Sequence, residues 1–148
     1  MLNILTTTQR AYLAGFLDGD GSIYVRLKPN SEYRFGYQIA PFVVFFQAKK
    51  DEAKFRKLTS LVSNGVWRER KDGIIEYTIN RQVEIKIFLK QIKKFLILKQ
   101  AQADLMIKIL DCKSKMKDKQ DFIKLAGLIE QFRTLNYSKK RIKHNLTL

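Results

Sequence analysis

The residues best suited to chemistry are two carboxylates, Asp18 and Asp20, at the end of a segment with helical spacing. Small residues recur in the same segment at Ala11, Gly15 and Gly19, which places them on one face of a helix. Such a row lets two helix backbones approach closely. An acid at a helix C-terminus faces the negative end of the helix dipole, which is unfavourable unless a cation or a hydrogen-bond donor offsets it. The stretch therefore predicts a close helix–helix contact that delivers an acid to a metal ion, with a solvated acidic turn as the alternative.

Composition narrows the choice of metal and of reaction. The 148 residues include a single cysteine, Cys112, and a single histidine, His144. These leave almost no material for a disulfide framework, a zinc site or a Ser-His-Asp triad. Any catalytic metal would be held by carboxylates and water, which favours Mg²⁺ over Zn²⁺.

The charge balance indicates the partner. There are 29 Lys and Arg against 14 Asp and Glu, a net charge of +15, which favours nucleic acid over an anionic membrane. The sequence has no 18-residue apolar run and no secretory leader at its N-terminus, so we expect neither a membrane span nor secretion. With its lone cysteine, the protein is expected in a reducing intracellular compartment, either prokaryotic cytoplasm or an organelle.

The elements that must position the acids can be read from periodicity. Thr6 and Gln9 form a predicted capping box, so a first helix is expected to run from Thr7 to Asp18 or Gly19. Strands are predicted at 22–28, 33–46, 66–70 and 74–80, with a helix at 52–62 and helices from residue 83 onward, the last at 122–135. Pro41 is expected at a bulge or a sheet edge. The order α-β-β-α-β-β-α-α-α predicts one α+β domain spanning residues 1–148.

One face of the predicted sheet carries side chains that can read base edges in the major groove, although a solvated face is the plain alternative. The residues expected there are Ser22, Tyr24, Arg26, Lys28, Arg34, Gln38, Ala40, Arg68, Arg70, Glu76, Thr78 and Asn80. Ala40, Val44 and Phe42 could contact thymine methyl groups. Further DNA contacts are expected from Asn30, Tyr33, Lys49, Lys50, Lys139 and Lys140.

A single carboxylate rarely holds a catalytic metal alone. If the small-residue row pairs with a second copy of itself, two Asp20 side chains meet and can serve a two-metal phosphodiester hydrolysis. The residues predicted at this dimer interface are Ala11, Leu13, Ala14, Gly15, Asp18 and Gly19, with Asp18 also expected to cap or orient. Gln47 is expected to orient a water molecule, and Lys99 to stabilise developing charge on a phosphate.

Residues 13–21, Leu-Ala-Gly-Phe-Leu-Asp-Gly-Asp-Gly, resemble the motif of the LAGLIDADG homing endonucleases. One copy is present, as in the homodimeric branch encoded by mobile introns. Arg68-x-Arg70 and the segment 95–103 resemble the family as well.

The resemblance implies an αββαββα fold with a saddle-shaped antiparallel sheet and additional C-terminal helices. It also implies Mg²⁺-dependent double-strand cleavage with 3′ overhangs that promotes intron mobility, with Mn²⁺ or Ca²⁺ able to occupy the same sites. By the same resemblance, Asp20 and Gly19 bind the metal, and Gln47 and Lys99 act beside it. Asp51 stands where the family often has a basic residue, a role that Lys49 or Lys50 could take.

If each subunit covers one helical turn of DNA, the target is a near-palindromic site of about 20 bp. Two alternatives remain on the same fold: an intron RNA-splicing maturase and a non-catalytic, sequence-specific DNA-binding protein.

Overall fold

The computed structural model describes residues 4–62 and 64–136. Its elements are α1 (Thr7–Asp20), β1 (Gly21–Pro29), β2 (Tyr37–Ala48), α2 (Glu52–Thr59), β3 (Val66–Glu69), β4 (Ile74–Ile79), α3 (Gln82–Ile92), α4 (Gln100–Ser114), α5 (Lys119–Glu130) and α6 (Phe132–Leu135), with 3-10 turns at Lys49–Asp51 and Lys93–Phe95. The predicted order of helices and strands is confirmed, with the short α6 added. In the described part of the chain, no helix is long and apolar enough to cross a membrane.

Helix α1 passes directly into strand β1. It begins with the predicted capping box, in which Gln9 N donates to Thr6 Oγ1 and Thr6 N donates to the Gln9 side chain. It ends at Asp20, slightly later than predicted, and Gly21 already belongs to the strand. A Cβ at Gly21 would lie 2.4 Å from Leu17 Cδ1 and 2.9 Å from the Leu17 carbonyl oxygen. Glycine is therefore required here for close approach, and Asp20 lies directly at the junction of helix and strand.

The four strands form one antiparallel sheet in the order β1-β2-β4-β3. Strands β1 and β2 pair without interruption from Gly21 opposite Phe45 to Pro29 opposite Tyr37. Pro41 pairs within this continuous register, and β4 joins β2 only from Val43 onward. Pro41 thus lies where β2 is a sheet edge, and the register contains no bulge there.

The turn between β1 and β2 is longer than predicted, because strand β2 begins at Tyr37 rather than at residue 33. Asn30 Oδ1 accepts a hydrogen bond from Glu32 N, and Gly36 adopts a φ of +80° that favours glycine. Tyr33 and Arg34 therefore lie in the turn. Their predicted positions on the strand were wrong.

The core lies between one face of the sheet and the helices. The inward residues of the strands are buried, as their alternation predicted: Ile23, Val25, Leu27, Ile39, Val43, Phe45, Ile75, Tyr77 and Ile79. Helices α1, α3, α4 and α5 supply the other side of this core. The opposite sheet face carries most of the predicted polar and basic side chains, although Arg34 lies in the turn before β2.

Three further helix boundaries differ from the prediction. Helix α2 ends at Thr59 instead of residue 62. The predicted last helix, 122–135, is two helices that meet at Gln131. Helix α5 begins earlier than expected, because Asp118 caps it by accepting from Asp121 N at 2.8 Å.

Candidate active site and nucleic-acid interface

The three predicted catalytic residues converge at one edge of the sheet. Asp20 ends α1, and the next residue, Gly21, pairs with Phe45, two positions before Gln47 on β2. Lys99 lies at the same edge although it is 81 residues after Asp18 in the sequence. Its Nζ donates to the Asp18 carbonyl oxygen at 2.7 Å. The Asp20 side chain is exposed. One edge therefore combines an exposed carboxylate, a carboxamide and an ammonium group.

Asp18 and Lys99 form a reciprocal contact, which we call the Asp18–Lys99 clamp. The Asp18 carboxylate accepts from Ile97 N at 2.8 Å and from Lys99 N at 3.0 Å, at the start of α4. The Lys99 ammonium in turn lies at the C-terminus of α1. Each charge thus meets the favourable end of the other helix's dipole. The two hydrogen bonds confirm the predicted capping by Asp18, and its place at the dimer interface stays a prediction.

Lys49 and Lys50, the two candidates for the basic role beside Gln47, differ in their contacts. Gln47 is half-buried, and its Oε1 accepts from Ala48 N at 2.9 Å. Lys49 Nζ binds Glu69 at 2.7 Å, and this hydrogen bond is the main cause that raises the pKa of Lys49. Lys50 is exposed on the 3-10 turn. That Gln47 orients water stays a prediction.

The predicted dimer interface is only partly available. Leu13 and Ala14 are fully buried in the core of their own chain, so their assignment to the interface was wrong. The row of Ala11, Gly15 and Gly19 is exposed, and a Cβ at either glycine would meet no atom within 4 Å. We call these three residues the small-residue row.

Three exposed apolar residues near the small-residue row were missed from the sequence. Tyr12 is 60% exposed on α1, and Ile97 and Leu98 are 86% and 71% exposed in the loop that the Asp18–Lys99 clamp holds against α1. Apolar residues left this open are candidates for contact with another protein surface. In the sequence, the run of apolar residues around them concealed which ones point outward.

The donor set at this edge suits a hard cation but is incomplete in one chain. Asp20 offers a carboxylate, and the end of α1 offers backbone carbonyl oxygens such as that of Gly19, the oxygen ligands that Mg²⁺ prefers. Among the described residues, no group of three or more His, Cys, Asp or Glu could hold a metal ion. A second Asp20 from another copy of the chain would supply the missing carboxylate.

The outer sheet face carries the predicted polar residues, and several of them interact with one another. Glu76 lies opposite Arg68 and within 3.7–3.8 Å of the guanidinium groups of Arg68 and Arg70. Arg70 also binds Asp72 at 2.6 Å. Thr78 is half-buried on β4 and Asn80 is exposed just after it.

Some predicted DNA contacts fall elsewhere. Ala40 is only 7% and Val44 only 2% exposed, so the prediction that they touch thymine methyl groups was wrong. Ala40 lies opposite Arg26 in the β1–β2 register. Arg34, in the turn, donates to the Lys117 carbonyl oxygen at 2.7 Å instead of standing on the strand. The predicted contacts at Lys139 and Lys140 lie outside the described residues.

A LAGLIDADG endonuclease family model matches residues 13–109 of the chain. The chain belongs to the LAGLIDADG endonuclease family. The matched region contains Asp20, Gln47 and Lys99, and the α+β fold with its four-stranded antiparallel sheet is that of LAGLIDADG homing endonucleases. The predicted family and fold class are therefore confirmed.

Two relatives extend this LAGLIDADG assignment along the chain. DNA endonuclease I-CreI of Chlamydomonas reinhardtii is 35% identical over 133 residues, covering 88% of this chain and 80% of the relative. DNA endonuclease I-CvuI of Chlorella vulgaris is 28% identical, covering 88% and 81%. The crystal structure of I-CvuI in complex with its target in the presence of Ca has a TM-score of 0.85 at 27% identity, covering 92% of this chain and 87% of that one.

Proposed function

We propose that the protein is a homodimeric, Mg²⁺-dependent homing endonuclease. It cuts both strands of a near-palindromic DNA site of about 20 bp and leaves 3′ overhangs, which promotes intron mobility. The observation that carries this proposal is the meeting of Asp20, Gln47 and Lys99 at one sheet edge beside the exposed small-residue row. The relatives I-CreI and I-CvuI are DNA endonucleases, which supports the same activity here.

The dimer follows from the incomplete site. Two copies joined through the small-residue row bring their Asp20 carboxylates together, with Tyr12, Ile97 and Leu98 closing the contact around it. Because both active edges then lie next to the twofold axis, the separation of the two cuts is set by the helix pair.

Each chain's residues have distinct tasks at the scissile phosphate. The Asp20 carboxylates and the Gly19 carbonyl oxygens would hold divalent cations, which would supply charge stabilisation for hydrolysis of the phosphodiester. The Gln47 carboxamide positions the attacking water. The Lys99 ammonium, already fixed at the end of α1, stabilises the added negative charge on the phosphate.

Binding is carried by the outer sheet face. An antiparallel ribbon of strands fits the DNA major groove, and arginine and glutamine side chains such as Arg26, Arg68 and Gln38 can pair with guanine and adenine edges. Exposed cations such as Lys28 and Lys50 meet phosphates, so binding should weaken steeply with salt. Because the proposed substrate is DNA, we also propose an intracellular location.

The test is cleavage of a library of long DNA sites with Mg²⁺, followed by sequencing of the cut ends. Asp20→Asn should bind the selected site with nearly unchanged affinity and lose cutting, because the fold survives while the metal ligand is weakened. The matched control is Asp118→Asn at an exposed carboxylate that caps α5, where asparagine also caps well. Full cleavage by Asp20→Asn would contradict the proposal, and tight binding without cutting by the unchanged protein would indicate the non-catalytic alternative.

A further inference from the structure

The outer sheet face has an aromatic centre that the catalytic proposal does not use. Tyr24 on β1 lies directly opposite Phe42 on β2, and their ring centroids are 5.0 Å apart with an interplanar angle of 27°. Both rings are half-buried on the face that points away from the core. We call this pair the aromatic stack.

Cations surround the aromatic stack. The Arg26 guanidinium lies 5.3 Å from the Tyr24 ring centroid and 6.0 Å from that of Phe42, and Lys28 Nζ lies 5.2 Å from the Phe42 ring. Burial is the main cause that raises the pKa of Tyr24, and the charges of Arg26, Glu76 and Arg68 also act on its hydroxyl. The stack therefore spans β1 and β2, with β4 and β3 next in the sheet, and lies within the surface assigned to DNA.

We propose that the aromatic stack of Tyr24 and Phe42 is a specificity-determining surface that packs against the 5-methyl group of a thymine in each half-site. The inference rests on the proposed DNA endonuclease function. The major groove offers one apolar feature, the thymine methyl group, and aromatic side chains are among the groups that contact it. The flanking cations, Arg26 and Lys28, suit a polyanion, so the occupant is double-stranded DNA and not an apolar protein surface.

The register places this contact along the half-site. Tyr24 is three residues from Gly21, roughly 10 Å along β1 from the active edge, while Lys28 lies roughly 24 Å away. At about 3.4 Å per base pair, the recognised thymine should lie roughly three to five base pairs from the cleavage edge, inside the positions reached by Lys28. Ala40 and Val44 cannot share the task because both are buried.

The test replaces thymine with uracil, which removes the methyl group and leaves base pairing unchanged. On the site that the protein selects from a DNA library, each inner thymine is replaced in turn and the dissociation constant is measured. One inner position should weaken binding by roughly fourfold per half-site, the factor expected from exposing one methyl-sized group. Uracil at outer positions is the control and should change affinity by less than this.

Two variants test whether the aromatic stack causes the difference in affinity between thymine and uracil. Phe42→Ala should abolish the difference between thymine and uracil at that position, whereas Tyr24→Phe keeps both rings and should retain it. The inference is overturned if the selected sites carry no thymine at inner positions, if no inner uracil weakens binding, or if the discrimination survives in Phe42→Ala. A protein that selects and cuts a site but ignores uracil refutes this inference alone, while one that binds no DNA site refutes the proposed function itself.

Discussion

Gly15→Leu should separate the dimer without unfolding the chain. Gly15 is exposed in the middle of α1, and a Cβ there would meet no atom of its own chain within 4 Å. Leucine is a better helix former than glycine by roughly 0.5–1 kcal/mol, so the isolated subunit should become slightly more stable. In the proposed dimer, the same position faces its twofold copy, where a leucine side chain has no room.

The magnitude follows from the symmetry. Overpacking a closely fitted contact costs about 1–3 kcal/mol per side chain, and a twofold axis introduces two of them. Dimerisation should therefore weaken by about 2–6 kcal/mol, which raises the dimer dissociation constant by about 30-fold or more. Cleavage should fall with it, because a single chain holds only one Asp20.

Gly127→Leu is the matched control. Gly127 is also exposed in a helix, α5, and a Cβ there also meets no atom within 4 Å. Its helix propensity gain should equal that of Gly15→Leu, with no effect on association. Sedimentation velocity over a concentration series compares the two variants, and thermal unfolding at equal concentration checks their folding. If both variants dimerise equally well, the small-residue row is not the interface.

Three further changes test the clamp, the core and the DNA surface. Asp18→Ala leaves the two amide donors at the start of α4 without their acceptor, so the free energy of unfolding in urea should fall by about 1–3 kcal/mol. Lys99 should also lose its alignment, which should reduce the cleavage rate more than the affinity for DNA. Tyr77→Phe removes the hydrogen bonds of a buried hydroxyl and should lower the free energy of unfolding at neutral pH. Burial raises the pKa of Tyr77 in the folded state, so as the pH rises above about 10 the unfolded wild-type chain ionises first and the wild-type protein is destabilised. The difference in free energy of unfolding between the wild-type protein and Tyr77→Phe should therefore shrink. Equal losses at pH 8 and pH 11 would contradict that reasoning. Arg68→Ala should weaken DNA binding by about 1–3 kcal/mol in a filter-binding titration, whereas Arg133→Ala, exposed on α6, should not.

Periodicity predicted the faces of the elements better than their ends. Alternation placed Ile23 and Phe45 in the core and Arg26 outside, because residues two apart in a strand share a face. Alternation did not predict the length of the turn before β2, because that turn depends on a positive φ at Gly36 and a hydrogen bond to the Asn30 side chain. Such conformations leave no repeating signal in the sequence.

The interface error has a different origin. Helical spacing alone puts Leu13 and Ala14 on faces away from the small-residue row, and both are buried. The motif taken as a whole predicts them at the interface, although the helix divides the motif between core and surface. The motif thus specifies two contacts at once: Leu13, Ala14 and Leu17 anchor α1 in its own chain, and Gly15 remains open to a second one.

The position of Asp20 at the end of a helix dipole is offset from within the chain. Lys99 Nζ donates to the Asp18 carbonyl oxygen in the last turn of α1, which places a positive charge where the dipole is negative. The Asp18 carboxylate holds Lys99 there by accepting from its backbone N. The two residues are 81 positions apart in the sequence, so no local pattern could predict this contact. Asp18 and Asp20 therefore divide the work of the motif. The Asp18 carboxylate fixes Lys99 in position. The Asp20 carboxylate remains exposed and can meet its symmetry copy across the small-residue row.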